Sequence, residues 1–270
     1  MGANKSRARL FDFTVRSNER VAEDSFAMLV ECEVAPLLSP GEFVEVGVPG
    51  DASQLLRVPL SFSRADAEAS TLRIEYAVVG DGTRRLSQMR PGDASTLVGP
   101  CGHGWRLPAA AGRALVVAGG IGIPPVVAAA EMLAAAGVRF DAVVAAKTAG
   151  RIVGPDVELL RAAAQGDADF RLAVATDDGS AGVRALASAP AAELLGERAY
   201  ACVYTCGPAP MMAGVSAAAQ AAGVACQASL ERMMACGFGV CGGCNVAMAD
   251  GSMKSCCMDG PVFDAKEVLW

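Results

Sequence analysis

Several things are scarce in this 270-residue chain, and each scarcity closes off a class of function. There is one histidine, His103, set in Gly102-His103-Gly104, a loop context that reads as surface rather than as catalysis. Charged residues make up only 19%, and the net charge is −6 with a pI near 4.9. A nucleic-acid binder should carry a basic stripe, and none is present. The basic groupings that do occur, Lys5, Arg7 and Arg9, and then Arg84-Arg85, read as a solvated terminus and a short surface pair. The first residues are polar and basic with no apolar core behind them, so no secretory signal is expected. The longest apolar stretches, 114–136 and 211–226, are interrupted by Gly, Pro, Glu or polar residues and read as buried strand plus helix rather than membrane spans. No internal repeat and no low-complexity tract stands out beyond alanine-rich helices.

Apolar residues and cysteine, by contrast, are plentiful. Hydrophobic residues reach 53%, enough for sizeable cores and against disorder. Ten cysteines without a secretory signal suggest the reducing cytoplasm, where thiols serve as metal ligands or buried groups. Four of them are patterned. Cys236, Cys241 and Cys244 lie on one stretch and another follows after twelve residues, the C-x4-C-x2-C…C spacing of a plant-type [2Fe–2S] cluster. Thiolates suit iron because they are soft and ionise on binding. Gly237, Gly239, Gly242 and Gly243 let the loop wrap closely, since glycine reaches positive φ and has no Cβ to crowd the sulfides. A structural zinc site more often uses two close pairs, and disulfides are open on count alone. Cys256 and Cys257 are adjacent, so by spacing either can supply the fourth sulfur.

Three units are expected: a β-barrel over 1–106, an α/β domain over 107–226, and a cysteine-bearing subdomain over 227–270. Segments 11–15, 25–33, 42–48, 71–79 and 95–98 alternate or run apolar between Pro/Gly turns, as in a small antiparallel barrel with a short helix at Gly82–Met89. Residues 108–113 form a small-residue linker. After it, strands at 114–118, 140–146, 170–175 and 199–205 alternate with helices at 123–136, 155–164, 181–195 and 210–222. That alternation means a doubly wound parallel sheet. Pro124 and Pro125 fit a first helical turn, where the missing N–H has no partner.

Two loops of this sheet follow strands and precede helices. Gly119-Gly120-Ile121-Gly122 suits close approach of a phosphate to backbone and a helix N-terminus, though G-G-x-G alone also describes a plain tight turn. Thr205-Cys206-Gly207-Pro208 is the other. Together they form the crevice at the carboxyl edge where open α/β sheets take ligands. In the barrel half, Arg57 beside Pro59, Leu60 and Ser61 offers a cation and a hydroxyl for pyrophosphate, or simply an exposed strand arginine. Gly80-Asp81-Gly82-Thr83 opens a short helix, whose Thr83 hydroxyl can cap it or meet a phosphate.

Taken together, Gly82-Thr83, Met89-Arg-Pro-Gly-Asp93, Val98-Gly-Pro100, the two glycine loops, the cysteine stretch from Met234, and Cys257-Met-Asp-Gly-Pro-Val-Phe263 resemble one family over nearly the whole chain. It is the electron-transfer subunits of class 1B dihydroorotate dehydrogenases, in the ferredoxin-reductase superfamily. The resemblance implies FAD on the barrel at Val58, Pro59, Leu60, Ser61, Glu75, Tyr76, Ala77, Gly82 and Thr83, and NAD at the α/β domain. It also implies a [2Fe–2S] cluster on Cys236, Cys241, Cys244 and the cysteine two before Asp-Gly-Pro, which is Cys257. The family usually has arginine directly before the proline; here that place is Val58, and Arg57 is one earlier, on the opposite face of a strand. Cys206 is implied to lie near the nicotinamide. The implied activity is electron transfer, without an acid or base from this chain, from an FMN-bearing dihydroorotate-oxidising subunit through cluster and FAD to NAD+. It belongs to pyrimidine synthesis, in a cytoplasmic heterotetramer with no nucleic acid or membrane partner. Phe238, Val240, Val262, Phe263, Val268, Leu269 and Trp270 are candidates for contact with that subunit. Two alternatives share part of the pattern: the flavin subunit of a ferredoxin:NADP+ reductase or sulfide dehydrogenase complex, and a non-enzymatic metal-binding module.

Overall fold

The structure is a computed structural model describing residues 7–50 and 55–270; Lys5 of the amino-terminal basic group lies outside them. The first unit contains β1 (Arg9–Arg20), β2 (Ser25–Glu31), β3 (Phe43–Val46), β4 (Val58–Ser61), β5 (Arg64–Asp66), β6 (Thr71–Ala77) and β7 (Ala94–Cys101), with the short helix α1 (Asp81–Leu86). Every pairing is antiparallel, in the order β4-β3-β7-β1-β2-β6-β5, and the sheet curls until β4 packs on β6. The inward positions of the alternating segments, among them Phe13, Met28, Val30, Val46, Ile74, Tyr76 and Leu97, form one apolar core.

The second unit follows the expected alternation: β8 (Ala114–Gly119), α2 (Ile123–Ala135), β9 (Phe140–Ala146), α3 (Gly154–Ala163), β10 (Leu172–Thr176), β11 (Val183–Arg184), α4 (Ser188–Glu197), β12 (Cys202–Cys206), α5 (Ala209–Ala221) and β13 (Ala225–Ser229). The order is β11-β10-β9-β8-β12-β13, parallel throughout, so the chain reverses direction across the sheet between β8 and β12. Both faces of β8 and β9 are buried, which is why these strands read as unbroken apolar runs.

One helix starts later than the sequence suggested. Residues 181–187 are not helical: Gly182 has φ +62° with the Val174 carbonyl against it, and the Thr176 hydroxyl bonds both the amide and the carbonyl of Ala181 (3.0 and 2.9 Å). This turn lets 183–184 pair with β10 before α4 begins at Ser188. The expected border between residues 226 and 227 falls inside β13.

The remaining chain adds the hairpin β14 (Asn245–Ala247) and β15 (Met253–Ser255), the four-residue helix α6 (Cys256–Asp259) and β16 (Val262–Asp264), which pairs antiparallel to β13. Val246, Met248, Phe263 and Val268 share one core with Leu115, Val117 and Val203, so the cysteine-bearing unit is built onto the α/β sheet. The stretch leading into the linker is pinned as well. Arg106 exchanges two hydrogen bonds with Gln227 (3.0 and 2.8 Å), its carbonyl also accepts from the Tyr204 hydroxyl (2.7 Å), and Trp105 stacks edge-on to Tyr204.

A cleft between barrel, nucleotide loops and cysteine loop

Where β8 and β12 end side by side, their two loops are in contact. A Cβ on Gly122 would lie 2.5 Å from the Cys206 carbonyl oxygen and 2.7 Å from the Gly207 nitrogen. One on Gly119 would meet Met211 and Pro208. These two glycines therefore serve loop-to-loop packing. Gly120 differs: its φ is +53° and no atom lies within 4 Å of where a Cβ would be, so this is the face of the loop a ligand can approach. Cys206 ends β12, and burial of its sulfur pushes the thiol up to about 12 against the opposing Ser229 hydroxyl.

The second loop opens onto a cleft of about 540 Å³, with Gly207, Pro208, Ala209 and Met212 on one wall, Pro59 of the barrel on another, and Glu231–Met234 on the third. Sequence segments far apart thus meet here. Val58–Ser61 form β4 at the barrel's edge. Arg57 does not turn toward the cleft: its guanidinium donates to the Thr96 carbonyl and hydroxyl of β7 (both 2.9 Å). Tyr76 points into the barrel core and donates to Asn18 (3.0 Å). Glu75 is held by Ser63 (2.7 Å) and Arg73. Gly82 and Thr83 open α1, where the Thr83 oxygen accepts from the amides of Val79 and Gly80 (3.0 and 3.1 Å). What β6 and α1 offer a cofactor is therefore mainly backbone.

From Met234 the third wall runs directly into the cysteine loop. Gly237, Gly239 and Gly242 all have positive φ, which turns this loop on itself. Cys241 is exposed, Cys236 half-buried, and Cys244 and Cys257 are buried. Cys244 Sγ lies 3.2 Å from Cys257 Sγ and accepts from the Cys257 amide (3.4 Å). Partial burial raises the Cys236 thiol, but the amides of Phe238, Cys241 and Val240 and the Cys241 side chain outweigh it and bring it down to about 7. Cys257 goes the other way, to about 12, through burial and its contact with Cys244. Cys256 also rises to about 12, chiefly through burial, and its sulfur turns away to donate to the Leu230 carbonyl (3.2 Å). Cys244 thus lies on Cys257 and Cys236 beside Cys241, while among the described residues no three of these side chains converge into one metal site; thiols on two segments near a loop rich in amides are a donor type that suits iron.

The sequence reading missed Glu45. It sits on β3, fully buried, with both carboxylate oxygens unpartnered and pressed against Gly237 of the cysteine loop. Burial, then the charge of Cys236, raises it to about 7. A carboxylate in an alternating strand carries no local mark of burial; the cysteine loop that docks on it comes from far along the chain.

Antiparallel barrel, doubly wound sheet and a cleft between them define a protein of the ferredoxin-reductase class. Solved structures share this architecture: a chain of an NADH-dependent reduced ferredoxin-NADP oxidoreductase is 29% identical with TM-score 0.85, covering all of this chain and 92% of that one. Phthalate dioxygenase reductase matches the fold at 18% identity and TM-score 0.64, with 88% and 86% covered. The family model for the iron–sulfur cluster binding domain of dihydroorotate dehydrogenase B matches residues 231–269. Curated relatives in Geobacillus thermodenitrificans (35% identical; 95% of this chain, 97% of the relative) and Desulforamulus reducens (33%; 97% and 99%) are both dihydroorotate dehydrogenase B (NAD(+)), electron transfer subunit. The chain belongs to that family.

Proposed function

We propose that this chain carries electrons between a dihydroorotate-oxidising catalytic subunit and NAD+, using FAD at the cleft and a [2Fe–2S] cluster on its cysteine loop. The carrying observation is the cleft itself: Pro59 of the barrel, Gly207-Pro208 of the nucleotide loop and Glu231–Met234, leading to Cys236, line one space. A flavin exchanges hydride pairs with a nicotinamide and single electrons with a cluster, which is the chemistry such a junction requires. The chain's own residues bind and orient. Val58–Ser61, the backbone of Glu75–Ala77, and Gly82-Thr83 hold the flavin; Gly120 and the ends of β8 and β12 receive the nicotinamide nucleotide, with Cys206 beside it. Cys236, Cys241, Cys244 and Cys257 hold the cluster, Cys257 rather than Cys256 because its sulfur lies on Cys244.

The family name implies a catalytic partner. That this partner bears FMN, that the assembly is a heterotetramer and that it works in the cytoplasm are part of the same reading. Among the described residues no helix is long and apolar enough to cross a membrane. The exposed cluster-loop residues Phe238 and Val240 are the proposed contact, beside exposed Cys241. The test is anaerobic purification alone and with the candidate partner. Flavin bands, iron with acid-labile sulfide, and dihydroorotate-dependent NAD+ reduction only in the complex are expected. Phe238→Asp should keep both cofactors and lose the partner. A colourless protein without iron or flavin refutes the reading; coloured protein that couples to a ferredoxin and not to dihydroorotate oxidation moves it to the ferredoxin-NADP relative.

A further inference from the structure

Behind the glycine loop, where the barrel meets the α/β unit, two buried carboxyls face a single arginine. Arg73 of β6 donates to Asp156 Oδ1 (2.6 Å), in the first turn of α3, and also to Glu75 Oε1 on its own strand. Ser63 donates to the same Glu75 oxygen (2.7 Å). The side chains of Glu75 and Asp156 are fully buried, and Arg73 is mostly covered. Each carboxyl keeps one buried oxygen with no partner, Glu75 Oε2 and Asp156 Oδ2, and the two carboxyls meet on the same Arg73 nitrogen.

Two ionised carboxylates cannot share one cation in a dry seam while leaving two oxygens bare; the desolvation and mutual repulsion are too costly. One proton between them satisfies every observation: it removes one buried charge, turns one carboxyl into a donor and leaves one negative charge for Arg73. We infer that Glu75 and Asp156 share one proton across this seam and form the positioning pair that fixes the barrel against the α/β unit. The proton resides on Glu75. Arg73 contacts both carboxyls, and only Asp156 adds the N-terminus of α3 to favour its charge. Burial, then the Asp156 charge, holds the Glu75 carboxyl well above the usual range despite Arg73. Asp156 is likewise raised, by burial first and against Arg73. Other charges at this seam pair with one another: Arg64 of β5 with Glu131 of α2 (2.6 Å), and Arg151, just before α3, with Asp24 (3.0 Å) and Glu23 (3.9 Å) of the β1–β2 turn.

The sign follows. A carboxyl with a raised pKa in the folded state stabilises below its unfolded value, about 4.3, and that stabilisation is lost as pH climbs through the raised value. The seam should therefore loosen in alkali, and with it the placement of the nicotinamide loop against the flavin-bearing barrel. The kinetic consequence rests on the function proposed above; the proton itself does not.

The test compares wild type with Asp156→Asn and Asp156→Ala, none of which alters the cleft. In Asp156→Asn the amide donates to Glu75 and its oxygen still accepts from Arg73, so no shared proton is required. Infrared difference spectra of wild-type minus Asp156→Asn holoprotein at neutral pH should show one protonated carboxylic-acid band, the partly protonated Glu45 contributing equally to both and cancelling. Melting temperature should fall in wild type relative to Asp156→Asn as pH climbs from the unfolded carboxyl value, about 4.3, toward the raised folded one, with a limiting slope of about one proton. Asp156→Ala should melt lower than both throughout. Stopped-flow flavin reduction by NADH should slow in alkali in wild type and stay level in Asp156→Asn. An unchanged infrared band in Asp156→Asn, or parallel melting profiles for it and wild type, overturns the shared proton. Absence of flavin reduction in every variant, with the infrared and melting results as expected, overturns the proposed function and leaves the pair standing.

Discussion

Substituting alanine at Gly122 asks whether contact between the two sheet-edge loops is what builds the nucleotide site. The backbone there is at φ −76°, which alanine adopts freely, so any penalty comes from space alone. The new methyl would lie 2.5 Å from the Cys206 oxygen, where ordinary contact begins at 3.4 Å. The obstacle is backbone, so the loops must part by the difference, 3.4 − 2.5 or about 0.9 Å. Overpacking of this kind costs about 1–3 kcal/mol. In a chain this long that is a melting shift of roughly 2–12 °C. A displacement near 1 Å between reacting groups costs on the order of 100-fold in rate. Gly122→Ala should therefore fold, keep flavin and cluster, and reduce flavin with NADH about 10–100-fold more slowly in stopped flow. Gly120→Ala is the control with the opposite signature. Nothing crowds its Cβ, so stability should fall only by the roughly 1–2 kcal/mol of a left-handed residue, while a methyl on the ligand-facing side weakens NADH binding. Wild-type rates in Gly122→Ala and wild-type affinity in Gly120→Ala would together place the nucleotide elsewhere.

Three further outcomes are expected. Cys257→Ser should lose iron and acid-labile sulfide, and Cys256→Ser should retain both, since only the Cys257 sulfur lies on Cys244; equal loss in the two would deny the distinction. In cluster-free protein, alkylation of Cys236 should reach half its maximal rate near pH 7, because its thiolate is already held by backbone amides, while Cys256 and Cys257, near 12, stay inert; mass-mapped labelling measures it. Asp141→Ala should cost about 3–5 kcal/mol in urea unfolding. Asp141 is fully buried and accepts from Arg113 (3.0 Å), Arg198 (3.0 Å), the Tyr200 hydroxyl (2.7 Å) and the Arg171 amide (2.9 Å); all four would lose it, with Arg113 keeping Asp167 and Arg198 keeping the Asp169 carbonyl.

Local chemistry could be read directly from the residues. The unbroken apolar run at 114–118, the Pro-opened helix after it and the cysteine spacing from 236 each announce themselves within a short stretch, because strand burial, helix starts and thiolate loops are set by neighbours in sequence. Thr83 illustrates the same point: a hydroxyl at the head of a short helix, found capping it. The helix expected from residue 181 begins only at Ser188 for the converse reason. Its first residues carry no local bar to helix beyond one glycine, and it was the Thr176 hydroxyl on the neighbouring strand that bent them away.

What the sequence by itself determined is therefore the set of parts: an antiparallel barrel, a parallel sheet with glycine loops at its carboxyl edge, and a three-thiol loop with a fourth thiol beyond it. Tertiary structure alone decided how they face one another. It set Pro59 opposite Gly207, turned Arg57 onto Thr96, separated the sulfur of Cys257 from that of Cys256, and buried Glu45 under Gly237 and Glu75 against Asp156. The reason is range. Hydrogen bonding and side-chain alternation act over a few residues and leave a mark in the string, whereas desolvation of a carboxyl or the meeting of two loops depends on which distant surface arrives, and no short stretch carries that information.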